Sequence, residues 1–301
     1  MKFGMLLPNI GPLATGDDAL DTLQTIAQRG EVLGFDSLWV ADHVVIPTSI
    51  GSQYPYSADG QFPVDPRHGM LDPLATLGYL AGVTSRVRLG TWVLVLAHRN
   101  PIVTAKMFAT LDVLSRGRMM MGAGIGWLEE EIELLGAPFH RRGALSDEYL
   151  AACRELWTNP DPVFEGEFCN FNGFKCEPKP VQERLPIWVG GHSARAMQRV
   201  ATYGDGWLAS ANDYSAFLES RGHLERAAEA CGRDMSDIEI TITPNHVGTV
   251  DDFMTEMERY VDLGYDSFLA PVPLWTDNLG HALEIMDEFA EKTGMVAQAT
   301  L

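Results

Sequence analysis

The sequence predicts an α/β fold, a single (β/α)8 TIM barrel, from eight short apolar runs, the helical segments between them, and a helix-to-strand junction that occurs twice. The chain has 301 residues. Such barrels typically run to about 250 and tolerate insertions, so one domain over 1–301 accommodates the length. The strand candidates are 2–7, 36–40, 87–95, 118–122, 186–189, 206–209, 238–243 and 267–270. Each is nearly all apolar, as a strand covered on both faces must be.

Between them, apolar residues fall at helical spacing, as Leu20, Leu23 and Ala27 do before Gly34 ends the first helix. Gly34-Phe35-Asp36-Ser37-Leu38 is echoed by Gly264-Tyr265-Asp266-Ser267-Phe268, each glycine suited to a left-handed helix cap before a strand. That echo points to repeated βα units. An open doubly wound sheet is the alternative, but no Gly-x-Gly-x-x-Gly follows the first strand.

Two segments interrupt the alternation. Residues 44–71, rich in Pro, Gly, Ser, Tyr and Asp, follow strand two on the face where barrels keep their active sites, and are expected to form a lid. Residues 159–185 are expected to form a β-hairpin before strand five, turning at Asn172-Gly173.

Apolar residues make up 46% and charged ones 21%, enough for a large core. Forty-one acids against 22 bases give a net charge of −19, which disfavours nucleic acid and anionic membranes as partners. A single phosphate needs only local donors, because charges are screened beyond about 8 Å at cellular salt. The four cysteines show no metal-ligand spacing, so no metal site is expected, and they read as reduced thiols. With no charged-then-apolar leader and no run of about 18 apolar residues, a cytoplasmic protein is expected. The expected partner is a small-molecule substrate, with a second copy of the chain, as a homodimer, the candidate protein partner.

Strand two ends in Asp42-His43. Either Asp42 caps the loop and His43 lies on the surface, or the imidazole exchanges protons with the carboxylate orienting it. Strand four runs into Gly122, Gly124 and Gly126, which either pack strand against helix or let a planar ring approach the backbone. Glu129, Glu130 and Glu131 then suit the positive end of a helix dipole. After strand five, Gly190, Gly191, Ser193 and Arg195 form a helix start able to hold a phosphate. A cofactor-free aldolase or isomerase is disfavoured, since no lysine or paired carboxylate stands at a strand end.

Taken in order, these motifs make the chain resemble the luciferase-like superfamily, and within it the coenzyme F420-dependent branch. The resemblance is carried by Asp42-His43, Ser85-Arg86-Val87-Arg88-Leu89-Gly90-Thr91, Asn100-Pro101, the run from Leu111 to Arg118, the run from Gly122 to Glu131, Pro178-Lys179-Pro180, the run from Pro186 to Gly191, and Tyr203-Gly204-Asp205-Gly206-Trp207. It implies a deazaflavin ring at the barrel mouth against strand three, with a non-proline cis peptide at Trp92–Val93, and His43 facing the reacting carbon. It places the phosphate near Gly190, Gly191 and Ser193. Bacterial luciferases carry a phosphate-binding arginine where this chain has Ile125, which leaves Arg195 as the replacement donor and favours coenzyme F420 over FMN. The activity implied is hydride transfer between F420 and a small organic substrate. An FMN-dependent monooxygenase using molecular oxygen is the alternative, and a non-catalytic flavin-binding protein a third reading. Tyr54, Tyr56, Phe62, Trp127 and Trp275 are the expected substrate selectors.

Overall fold

The computed structural model describes residues 1–57, 59–210, 213–244 and 248–296. Among them, eight strands pair in parallel around a closed circuit. They are β1 (Lys2–Leu6), β2 (Ser37–Val40), β3 (Arg88–Thr91), β4 (Met119–Gly124), β5 (Ile187–Gly190), β6 (Gly206–Ala209), β7 (Glu239–Ile242) and β8 (Ser267–Ala270). Closure is made by the first and last, with Lys2 opposite Ser267 and Met5 opposite Ala270. The expected TIM barrel is therefore the observed fold, and each of the eight apolar runs overlaps one of the barrel strands. Gly34 and Gly264 both adopt positive φ, 94° and 91°, which is why a glycine precedes β2 and β8.

The barrel interior is filled rather than open. Trp39 of β2 and Trp188 of β5 meet edge to face at 6.0 Å and pack with Leu6, Met120, Leu208 and Leu269. Neighbouring strands make room for the two indoles by carrying glycine. A Cβ at Gly90 would lie 2.6 Å from the Trp39 ring, and one at Gly206 2.3 Å from Trp188 Nε1.

Outside the sheet run α1 (Ala19–Leu33), α2 (Pro73–Val83), α3 (Pro101–Ser115), α4 (Glu129–Leu134), α5 (Arg142–Thr158), α6 (Ala194–Tyr203), α7 (Tyr214–Ala230), α8 (Val250–Val261) and α9 (Leu279–Thr293). Helices α2 and α3 start alike: Asp72 and Asn100 accept hydrogen bonds from the two amides following Pro73 and Pro101. The seam between the first and last units is apolar, with Phe289 of α9 against Phe3, Phe35 and Phe253 at 5.2–5.7 Å. None of these helices is long and apolar enough to cross a membrane.

Two expectations are corrected. The run 87–95 is not one strand: β3 stops at Thr91, the Trp92–Val93 peptide is cis, and Leu94–Val95 resumes pairing with Ala123 and Gly124. That cis bond stands where the resemblance placed it. The hairpin in 159–185 pairs Phe164–Glu165 with Asn170–Phe171, so it turns over 166–169 and not at Asn172-Gly173. The reason lies on α5, where the Glu148 carboxylate accepts hydrogen bonds from the amides of Glu167, Phe168 and Cys169 at 2.5–2.8 Å.

Candidate active site

The strands point their C-terminal ends at a cavity of about 1040 Å³, whose walls come from the loops after β1 to β5, the end of β6, the turn after β8 and segment 44–71. This is the face on which barrels assemble chemistry, because several strand ends converge there. Asp42, His43, Trp92, Val93, Gly124, Gly126, Gly190, Gly191 and Ser193 all line it; Gly122 and Arg195 do not.

Asp42 and His43 are neighbours in sequence but serve different partners. Asp42 accepts from Val95 N at 2.9 Å and takes Arg99 in a two-point ion pair at 2.6 and 2.9 Å. Burial raises its pKa, but His98 and Arg99 outweigh burial and hold it below the ordinary carboxylate range. The carboxylate on His43 belongs instead to Glu131, whose Oε2 lies 2.6 Å from His43 Nδ1. Asp42 therefore supports the chain that follows β3, and the carboxylate beside His43 comes from a residue 88 positions away. Behind this pair His98 is buried between the two acids, 3.6 Å from Glu131 and 3.8 Å from Asp42. Those separations exceed hydrogen-bonding distance.

The acids of α4 do more than suit a dipole. Glu131 Oε1 accepts from Val44 N and Val45 N at 2.5 and 3.0 Å, while Glu130 accepts from Gly51 N, Ser52 N and Ser52 Oγ at 2.6–3.1 Å. Burial raises the pKa of Glu130, but the Ser52 hydroxyl and loop amides bring it down to about 2. Two adjacent carboxylates thus tie segment 44–71 across the mouth. Its rings close the contact: Phe62 lies 5.0 Å from His43 and 5.1 Å from Trp127, and Tyr54 lies 5.1 Å from Trp127. Burial, then Tyr56, pushes the Tyr54 hydroxyl up to about 12, so it stays neutral at ordinary pH. Of the expected substrate selectors, Tyr54, Tyr56, Phe62 and Trp127 line the cavity, whereas Trp275 packs against the helical layer.

The glycines of β4 and β5 accommodate side chains. A Cβ at Gly124 or Gly190 would fall 2.3 or 2.9 Å from the Val93 methyls, so Val93 occupies the space those residues leave. Gly122 is a packing residue inside the barrel wall, since a Cβ there would lie 1.8 Å from Thr91 O.

Past β5, Ser193 caps α6 by accepting from Ala196 N at 3.2 Å. Arg195 is exposed and outside the cavity, whereas Arg199, one helical turn on, is buried and lines the wall. Arg199 donates to Asp147 at 2.5 Å and to Gly143 O at 3.1 Å. Arg142 lines the same wall, donates to Gly126 O at 3.0 Å and covers the Phe139 ring at 3.8 Å. Opposite Tyr56, His192 keeps its buried Nδ1 without a partner among the described residues. Arg199, His192 and Glu131 were not singled out as site residues in the sequence, although the Arg-x-x-x-Arg spacing on α6 held the signal for Arg199.

Residues 1–296 match the family described as luciferase-like monooxygenase. The chain belongs to the luciferase-like family. Its members are oxidoreductases and monooxygenases. An uncharacterized protein of Mycobacterium tuberculosis is 37% identical over 235 residues, covering 78% of this chain and 80% of the relative. Among solved structures, the monooxygenase RslO1 from Streptomyces bottropensis superposes with a TM-score of 0.79 at 21% identity, covering 97% of this chain and 98% of that one. An F420-dependent secondary alcohol dehydrogenase, solved with an F420–acetone adduct, gives 0.75 at 19% identity over 96% of this chain and 97% of that one. The two structures share the barrel fold of this chain.

Proposed function

We propose that this luciferase-like protein is an oxidoreductase that moves a hydride between coenzyme F420 and a small organic substrate, with His43 exchanging the accompanying proton. The observation that carries the reading is the state of His43. It stands at the end of β2 in the cavity wall, Nδ1 engaged by Glu131, Nε2 making no hydrogen bond to the described residues. An imidazole held on one side and open on the other suits proton exchange with a bound molecule.

The cavity fits a deazaflavin. Its volume lies just above the roughly 300–1,000 Å³ usual for small-molecule sites, room for a tricyclic ring and a substrate together. Trp92 and Val93 would bear on the ring. Gly191, Ser193, Arg142 and Arg199 would hold the phosphate, and the unpartnered His192 Nδ1 offers one more polar contact. When bound, the coenzyme supplies a ring carbon that gives or accepts hydride. The protein contributes the rest: Glu130 and Glu131 hold segment 44–71 over the mouth, the rings of Tyr54, Phe62 and Trp127 exclude water, and His43 gives or takes the proton at Nε2.

Ile125 lines the cavity where, by resemblance, luciferases carry their flavin-phosphate arginine, which supports F420 over FMN. Fluorescence-quenching titrations with each cofactor, followed by turnover assays, test the choice. F420 is expected to bind more tightly and to support reduction or oxidation of small carbonyl compounds or alcohols. Tighter FMN binding with FMN-dependent oxygen consumption would replace this reading with the monooxygenase one.

A further inference from the structure

Glu131 is completely buried on the first turn of α4, and all its hydrogen bonds described above are with the chain that leaves β2, His98 standing 3.6 Å away. Oε1 receives the amides of Val44 and Val45, and Oε2 faces His43 Nδ1 at 2.6 Å. Burial raises the pKa of this carboxyl, but His43, His98 and the loop amides bring it below its ordinary value, so it is ionised at neutral pH. An ionised carboxylate can only accept hydrogen bonds. The hydrogen in the short contact therefore resides on His43 Nδ1, and a neutral ring carries its lone pair on Nε2.

We propose that Glu131 is the positioning residue of this site: it imposes the Nδ1–H tautomer on His43, presents Nε2 to the cavity, and anchors the root of segment 44–71 with the same carboxylate. The proposal deepens the reading of His43 as the proton-exchanging group and rests on it. One side chain thus makes the orientation of the imidazole depend on the seating of the loop. A loop displaced at Val44 and Val45 would take His43 with it, because the three residues are consecutive and share one acceptor.

The test is Glu131→Gln, which preserves shape and, through its carbonyl oxygen, an acceptor for the two amides. Its NH2 group then faces Nδ1, which must accept, so the hydrogen moves to Nε2. Nitrogen-15 NMR of ring-labelled histidine in the cofactor-free protein reads this directly, with assignment by His43→Gln. The wild type is expected to show a protonated Nδ1 and an unprotonated Nε2 in the neutral ring, Glu131→Gln the reverse, and Glu131→Asp the wild-type pattern. In turnover, Glu131→Gln is expected to lower kcat by roughly 10²–10⁴-fold, the scale of a wrongly tautomerised catalytic histidine, with coenzyme affinity little changed.

A wild-type ring protonated at Nε2, or a Glu131→Gln ring unchanged from wild type, would overturn the proposal. Should Glu131→Gln fail to fold, the wild-type spectrum alone decides. The spectra need no cofactor, so a failure of the F420 reading would appear in turnover and leave the tautomer result standing.

Discussion

Arg199 Nε donates to Asp147 Oδ1 at 2.5 Å, fixing a buried guanidinium against the cavity wall one helical turn beyond the exposed Arg195. The two arginines share a helix but not an environment. Arg199→Gln is expected to weaken binding of F420 and of FMN by about 1.5–3 kcal/mol, the worth of a charge-assisted contact to phosphate. Arg195→Ala is expected to stay within about 0.5 kcal/mol, as exposed substitutions do. Quenching titrations of both variants check this, and a larger loss from Arg195 would return the phosphate to the solvent side of α6.

His43→Ala removes the imidazole and leaves the cavity otherwise lined as before. Turnover is expected to fall by roughly 10²–10⁴-fold with coenzyme affinity nearly intact. Near-normal turnover would show that another group exchanges the proton.

The Glu130 hold on Gly51 and Ser52 is pH-dependent, with a sign that follows from its lowered pKa. The carboxyl titrates at about 2 in the folded chain against an ordinary 4.5, so the folded state favours its ionised form. Its contribution is complete above about pH 4.5 and fades as pH falls toward 2. Because Glu130 is partly exposed, solvent screening reduces the size of the effect. Glu130→Gln should therefore lose less stability than wild type between those values, measured by urea unfolding at stepped pH. Parallel losses would show that this contact adds nothing.

Gly206→Ala tests the filling of the barrel. The new methyl would stand 2.3 Å from Trp188 Nε1, and the indole is hemmed in by Trp39 and Met120, so it cannot yield cheaply. A loss of about 1–3 kcal/mol, the usual cost of overpacking, is expected by chemical denaturation. An unchanged midpoint would mean that the indole has a second resting place.

The barrel was readable because strands covered on both faces are continuously apolar, and the eight runs left no other element type to assign. His43 was readable because a strand end fixes where a side chain is offered. Glu131 was not, since three consecutive glutamates at a helix start look alike until the loop they bind is in place. Arg199 was hidden for a geometric reason: helical spacing puts it on the side of Arg195 in sequence, and only the folded chain brings Asp147 and Gly143 of α5 up to Arg199 while leaving Arg195 exposed. The hairpin turn was misplaced because a carboxylate on α5 outcompeted the local preference of Asn172-Gly173.

The indoles of Trp39 and Trp188 give the barrel a floor, and segment 44–71 gives it a roof. With the bottom filled, a molecule in the cavity exchanges with solvent on the side that this segment covers. Movement of that cover is then expected to bear on how fast a bound molecule departs.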